Sequence, residues 1–306
     1  MTITQAMIQE IRQVIIGKDA VIRRILMAIF AGGHVLLEDV PGVGKTTLAL
    51  TLSQVLGLDY RRIQFTPDVI PSDITGYTMY RKQDGAFVYV PGAAMCNLLL
   101  ADEINRTSPK TQSSLLEVMA EGQMTVDGDT HPVPQPYCVI ATQNPAGSSG
   151  TQPLPESQMD RFMVQLSLGY PDRDNEIAML KARKAATDAK RVTTPEELLA
   201  IRKTVASLYT HDSLLAYMTD LIRATRTHPD IRLGVSPRGT LALAAMARAS
   251  AFAEGRDYVV PADIQGVFAD VCVHRIVLSG RAQAAHTDKR ALLDAILSDV
   301  KAPSAV

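Results

Sequence analysis

The chain of 306 residues contains no tryptophan, three cysteines and an aromatic share of 5%. So few rings leave few platforms on which the bases of a single-stranded nucleic acid could stack. Excess charge of one sign is also lacking, since 31 Lys and Arg stand against 32 Asp and Glu for a net charge of −1. A surface that coats a polyanion carries clustered excess Lys and Arg, so nucleic acid is not the expected partner. Basic pairs such as Arg61-Arg62 and Arg81-Lys82 could still line a pore. Cys96, Cys138 and Cys272 are too scattered for a disulfide framework or a zinc site and read as small buried hydrophobes. The six histidines show no metal-ligand spacing. No apolar run approaches the roughly 18 residues of a membrane-crossing helix. Residues 1–10 lack the basic and apolar blocks of a secretory leader. The expected location is therefore the cytoplasm.

What is present is apolar: 46% of residues are hydrophobic and 21% charged, the balance of a folded globular chain. At about 150 residues per domain, the length accommodates roughly two domains. Up to about residue 170, helical patterns alternate with five short apolar runs, beginning near His34, Arg62, Asn97, Tyr137 and Met163. Short apolar runs separated by helices predict an α/β fold with a parallel five-stranded sheet covered on both faces. Ser108-Pro109 supplies an N-cap and a first-turn proline, while Gly122 and Gly57 follow the apolar stretches of two helices. Beyond Pro171 the strand pattern stops. Thr194-Pro195-Glu196-Glu197 is a capping box, and Ile264, Val267, Phe268, Val271 and Cys272 share one helical face as a core stripe. The expected division is an α/β nucleotide-binding domain over residues 1–170 and a smaller all-helical domain over residues 171–306.

Asp39-Val40-Pro41-Gly42-Val43-Gly44-Lys45-Thr46-Thr47 follows one apolar run and opens a helix. This is the pattern of a phosphate-binding loop. Gly42 and Gly44 let backbone N–H groups turn toward a phosphate, at which the following helix points its positive end. Lys45 is expected to reach the β- and γ-phosphates and Thr46 to place its hydroxyl on Mg2+. The common pattern has glycine six positions before the lysine, where this chain has Asp39. Leu98-Leu99-Leu100-Ala101 ends in Asp102-Glu103, and ligands of parallel sheets bind beyond the carboxyl ends of the strands. Asp102 is thus a candidate for the Mg2+ shell and Glu103 for the general base. No Asn/Thr-Lys-x-Asp segment follows to read guanine, so the expected nucleotide is ATP. Gln143-Asn144 would stand near the γ-phosphate, although Pro145 and the residues 147–150 make a plain turn the simpler reading of that dipeptide alone.

Together these segments resemble the MoxR family of AAA+ ATPases along nearly the whole chain. The resemblance is carried by Glu38-Asp39-Val40-Pro41-Gly42-Val43-Gly44-Lys45-Thr46, Ala101-Asp102-Glu103-Ile104-Asn105-Arg106, Ala141-Thr142-Gln143-Asn144-Pro145, Met159-Asp160-Arg161-Phe162 and Gly234-Val235-Ser236-Pro237-Arg238. It implies a P-loop AAA+ core with hairpin insertions and a helical lid. It also implies that Asn144 is the sensor-1 residue, Arg161 the arginine finger reaching a neighbouring subunit's nucleotide, and Arg238 the sensor-2 arginine. Val14-Ile15-Ile16-Gly17 is similar to the segment that packs on adenine. Without the resemblance, Arg161 beside Asp160 would read as an exposed ion pair worth about 1 kcal/mol or less.

Asp84-Gly85 and Asp127-Gly128, each between strand-like residues, are hairpin signals. They resemble insertions that can face the ring pore in the AAA+ branch containing magnesium-chelatase subunits and replicative helicases; an edge hairpin without a partner is the plainer alternative. Arg106 could act across a subunit interface or be an ordinary surface arginine. The resemblance implies a ring, expected to be a hexamer, that hydrolyses ATP to remodel or mature protein clients. Such clients are often metal-containing enzymes, and a protein with a von Willebrand factor A domain is an expected partner. The rival readings are a nucleic-acid motor and a nucleotide-gated scaffold that hardly hydrolyses.

Overall fold

The computed structural model describes residues 1–304 apart from 41, 84, 145–150 and 182–188. Two helices, α1 (Ile3–Arg12) and α2 (Asp19–Phe30), precede strand β1 (Val35–Glu38) and helix α3 (Lys45–Leu56). Strand β2 (Tyr60–Gln64), helix α4 (Pro71–Thr75) and the hairpin β3 (Tyr77–Arg81) and β4 (Ala86–Val90) follow. Next come β5 (Leu98–Asp102), α5 (Pro109–Glu121) and a second hairpin, β6 (Gln123–Val126) with β7 (Asp129–Pro132). Strand β8 (Cys138–Gln143), the short helix α6 (Glu156–Met159) and β9 (Val164–Leu166) complete the sheet region.

The five expected runs form one parallel sheet in the order β2-β5-β8-β1-β9. Successive strand side chains point to opposite faces, and the cores obey that alternation. Leu98, Leu100, Cys138, Ile140, Val35 and Leu37 enter one hydrophobic cluster. Leu99, Ala101, Val139, Ala141 and Leu36 enter the other. Burial on both faces is why these strands read as unbroken apolar runs. Ser108 caps α5 by accepting from the Thr111 N–H, and Gly122 and Gly57 end α5 and α3 at φ of 65°. All three cysteines are buried and free, and burial raises each thiol pKa to about 12.

Both hairpins are present and antiparallel. Asp127 at φ 51° and Gly128 at φ 93° make the left-handed pair that a two-residue hairpin turn needs. Asp84, the other expected turn residue, lies outside the described residues. Tyr89 of the first hairpin stacks on His131 of the second with ring centroids 3.7 Å apart, joining the two insertions.

The remaining chain is helical: α7 (Arg173–Lys181), α8 (Pro195–Ser207), α9 (Asp212–Thr227), α10 (Pro237–Ala253), α11 (Pro261–Cys272), α12 (Gly280–Ala284) and α13 (Lys289–Asp299). The Thr194 capping box forms, and Ile264, Val267, Phe268, Val271 and Cys272 are wholly buried. The expected all-helical character needs one correction, because β10 (Ile231–Leu233) and β11 (Val277–Leu278) pair antiparallel. Strands of three and two residues are too short for alternation to be legible in sequence. The N-terminal helices pack against this helical part, with Phe30 of α2 edge-on to Phe252 of α10.

Candidate nucleotide site

A cavity of about 320 Å3 opens at the carboxyl ends of the sheet strands, lined by Gly42, Gly44, Lys45, Thr46, Thr47, Gln64, Asp102, Glu103 and Asn144. Three sequence motifs separated by scores of residues therefore converge on one space. Gly42 and Gly44 have φ of 87° and 92°, and a Cβ on either would meet nothing. The left-handed backbone, rather than lack of room, requires glycine there. Gly44 directly precedes α3, so the helix's positive end faces the cavity. The buried Lys45 donates from Nζ to the Asp39 carbonyl at 3.0 Å and the Val40 carbonyl at 3.5 Å. Thr46 and Thr47 are exposed and Val43 is half-buried, while Pro41 lies outside the described residues.

Asp39, which departs from the common phosphate-loop pattern, is a buried tether. Its carboxylate accepts from the Ser167 hydroxyl at 2.6 Å, the Leu168 N–H at 2.7 Å and the Gly169 N–H at 3.0 Å. Lys18 Nζ donates to the carbonyls of Leu168, Gly169 and Tyr170. The start of the loop and the residues after the expected adenine segment thus grip the same stretch.

At the end of β5, the Thr142 hydroxyl joins the two acids. It accepts from the Glu103 N–H at 2.8 Å and donates to Asp102 Oδ1 at 2.6 Å. Asp102 Oδ2 accepts from Arg62 at 2.8 Å. Glu103 is held left-handed at φ 56° and ψ 49°, a conformation that non-glycine residues adopt only where neighbours enforce it. Its Oε1 accepts from Asn144 Nδ2 at 3.1 Å. Its Oε2 accepts from Arg106 at 2.8 Å and Gln64 at 3.0 Å. The Arg106 hydrogen bond, helped by Asn144 and opposed by desolvation, holds the Glu103 carboxyl below the usual range. Asn144 Oδ1 is buried beside this cavity with no hydrogen-bond partner among the described residues.

Several expected site residues stand apart from the cavity. Ile15 and Ile16 are half-buried, and Gly17 (φ 73°) is exposed where any Cβ would collide with the Asn175 side chain. Arg161 Nη1 donates to the Leu116 carbonyl at 3.0 Å, on the same chain's α5. Arg238 has a side chain 56% exposed and lies 3.9 Å from Asp160. Arg106, for which two roles were open, rests on Glu103 of its own chain.

The residues that sequence reading passed over are Gln64, Thr142 and the working role of Asp39. Parallel register held the signal for the first two. Gln64 pairs with Asp102, while Thr142 pairs with Leu37, one residue short of the end of β1. Residues at the carboxyl ends of adjacent parallel strands border any ligand bound there.

Comparison with known proteins identifies the family. The family described as the ATPase family associated with various cellular activities (AAA) matches residues 34–164, and the AAA lid domain family matches residues 223–296. The fold is that of an AAA ATPase with its lid. The chain is 44% identical to the uncharacterized protein YeaC of Bacillus subtilis, over 97% of this chain and 93% of that one. It is 39% identical to the protein named Chaperone MoxR1 of Mycobacterium tuberculosis, over 96% of this chain and 81% of that one. A crystal structure of a protein from Cytophaga hutchinsonii, assigned provisionally as an ATPase, superposes with a TM-score of 0.91 at 37% identity, covering 98% of this chain and 94% of the other. The chain belongs to the MoxR family of AAA+ ATPases.

Proposed function

We propose that this MoxR-family ATPase hydrolyses ATP with Mg2+ in a ring of subunits, six being the expected number, and uses the cycle to remodel protein clients. The convergence of the phosphate loop, Asp102, Glu103 and Asn144 on one cavity carries the reading. In it, a core over residues 1–170 binds nucleotide and a lid over residues 171–306 responds.

The residues present suit a triphosphate and its metal. Backbone N–H groups at Gly42 and Gly44, the α3 terminus and the Lys45 ammonium make a cationic cradle. Thr46 and Asp102 supply hard oxygen donors to the same cavity and would hold Mg2+. When bound, the metal neutralises charge on the transferring phosphoryl group. Glu103, kept ionised, takes the proton of the attacking water, and Asn144 orients that water through its amide. Arg161 serves the neighbouring subunit's site as the finger, a role worth roughly 10³ to 10⁵ in rate. Arg238 is the sensor-2 arginine that lid movement brings over the bound nucleotide, with Ile15, Ile16 and Gly17 against the adenine.

The client side draws on two observations. A relative is named a chaperone, and the β3–β4 hairpin presents exposed Tyr77, Tyr80 and Phe87, the last 75% exposed. Apolar rings at a hairpin suit transient contact with a protein chain. A protein with a von Willebrand factor A domain is the proposed adaptor and metal-containing enzymes the proposed clients, in the cytoplasm. Among the described residues no helix is long and apolar enough to cross a membrane.

The test is ATP turnover per subunit as protein concentration rises, with and without a Mg2+ chelator and with Lys45→Ala as the blank. Turnover that climbs with concentration and vanishes on chelation supports sites completed between subunits. Turnover that never exceeds the blank would reduce the protein to a nucleotide-gated scaffold. DNA-stimulated turnover falling steeply with salt would restore the nucleic-acid motor.

A further inference from the structure

Asp160 stands directly before Arg161, and among the described residues the partners of its carboxylate come from the helical part of the chain. Oδ1 accepts from Arg275 Nε at 2.8 Å. Oδ2 accepts from the hydroxyl of Ser236, the N-cap of α10, at 2.8 Å. Arg238, two residues on from Ser236, lies 3.9 Å from the same Oδ2. Arg275 is the firm member of this group, with a side chain only 2% exposed. Its guanidinium also donates to the carbonyls of Asp160 at 3.2 Å, Phe162 at 2.6 Å and Met163 at 3.1 Å. One buried arginine from just beyond α11 therefore grips the backbone on both sides of Arg161. His274 adds a contact at 3.0 Å to the Phe162 carbonyl.

A side chain is delivered no more accurately than its backbone is held, and a misplacement of about 1 Å at a reacting phosphoryl group can cost about 10²-fold in rate. Among the described residues the Arg161 side chain has one hydrogen bond, to the Leu116 carbonyl, and its N–H donates to the Gln158 carbonyl at 3.1 Å. Its backbone is fixed by α6, a helix of one turn, and by the Arg275 and Asp160 clamp. We infer that Asp160 and Arg275 are positioning residues for Arg161, so that the lid of one subunit sets the rate at the next subunit's site. The inference rests on Arg161 acting in trans as proposed above. Arg238 is mostly exposed and only loosely held at the edge of this clamp, so Asp160 is fixed chiefly by Arg275 and Ser236.

The clamp and a plain structural role part company in mixed rings. Asp160→Asn keeps shape and removes charge, and it leaves the cavity residues of its own site untouched. Alone, it should lose about 10²-fold in kcat with little change in the KM for ATP, as loss of a transition-state interaction does. Mixed with a large excess of Glu103→Gln subunits, which cannot hydrolyse but carry an intact Arg161, its turnover per active subunit should return to the level of parent subunits in the same mixture. Arg161→Ala should be rescued in the same way. Rescue of Arg161→Ala without rescue of Asp160→Asn would overturn the clamp and leave the finger standing. Parental turnover in Asp160→Asn alone would do the same. Failure to rescue Arg161→Ala would remove the finger and the clamp together. If Asp160→Asn does not fold, Arg275→Lys, which keeps the buried charge but loses the forked grip, decides by the same loss and the same rescue.

Discussion

Asn144 donates to Glu103 across 3.1 Å, joining the end of β8 to the first residue after β5 at the point where both border the phosphate loop. Glu103 is thereby fixed from three sides, since Arg106 and Gln64 occupy its other oxygen. A carboxylate so placed is ionised and aimed, which is what a base for water requires. Glu103→Gln preserves shape and the bond from Asn144 but cannot take a proton. It should bind ATP as the parent does and turn over about 10² to 10⁴ times more slowly. Turnover equal to the parent's in a single-turnover assay would remove Glu103 from the chemistry.

The Thr142 hydroxyl is the less visible part of the same construction. It is fully buried, accepts the N–H of the strained Glu103 and donates to Asp102. Thr142→Val keeps the volume and strands both partners. An unsatisfied buried group costs about 1 to 3 kcal/mol, and the left-handed Glu103 loses one of the contacts that hold it. The expected result is a lower unfolding midpoint together with a fall in kcat. A stability loss with unchanged kcat would show that Glu103 is held well enough by its side-chain partners alone.

Much of this is legible from residue order, and the limits have physical causes. The phosphate loop, the Asp102-Glu103 strand end and both hairpins depend on local chemistry within a few residues, so the sequence states them directly. Gln64 is invisible there because its role depends on β2 lying beside β5, a pairing between segments nearly forty residues apart. Asp39 reads as a departure from pattern because its partners, Ser167, Leu168 and Gly169, lie far along the chain. The pair β10 and β11 escapes notice because it is held by two short segments rather than by a periodic run.

Asp39 also allows a direct test of why this chain does not use glycine there. Asp39→Gly would restore the common loop pattern while removing an acceptor from one hydroxyl and two backbone N–H groups. Hydrogen bonds to a charged group contribute about 1.5 to 3 kcal/mol each and are not additive. A loss of about 3 kcal/mol or more is expected in urea unfolding, with Asp39→Asn intermediate because one acceptor oxygen survives. A glycine variant as stable as the parent would make the tether incidental.

His34 gives the fold a pH dependence whose direction follows from its burial. The ring lies wholly inside, Nδ1 accepting from the Val139 N–H at 3.0 Å and Nε2 meeting the Met119 carbonyl at 3.0 Å. Both bonds are satisfied by the neutral ring carrying its proton on Nε2. Desolvation, against the Met119 bond and aided by Arg202, lowers the pKa from 6.5 to about 4. Below pH 6.5 the unfolded chain takes up a proton that the folded chain refuses. The stability contributed is thus complete above the unfolded value and is lost as pH falls toward the folded one. Each tenfold weakening of proton affinity corresponds to about 1.4 kcal/mol, so the whole loss is about 3 kcal/mol and about 2 kcal/mol of it is gone by pH 5. His274, also buried and lowered well below its ordinary value chiefly by desolvation, adds a slope of the same sign. The contribution of His34 is isolated by subtracting the urea stability of His34→Gln from that of the parent at pH 7.5 and pH 5. The difference between them should shrink by about 2 kcal/mol across that interval. Parallel curves would mean that the buried ring is protonated in the fold and that the Val139 N–H has found another acceptor.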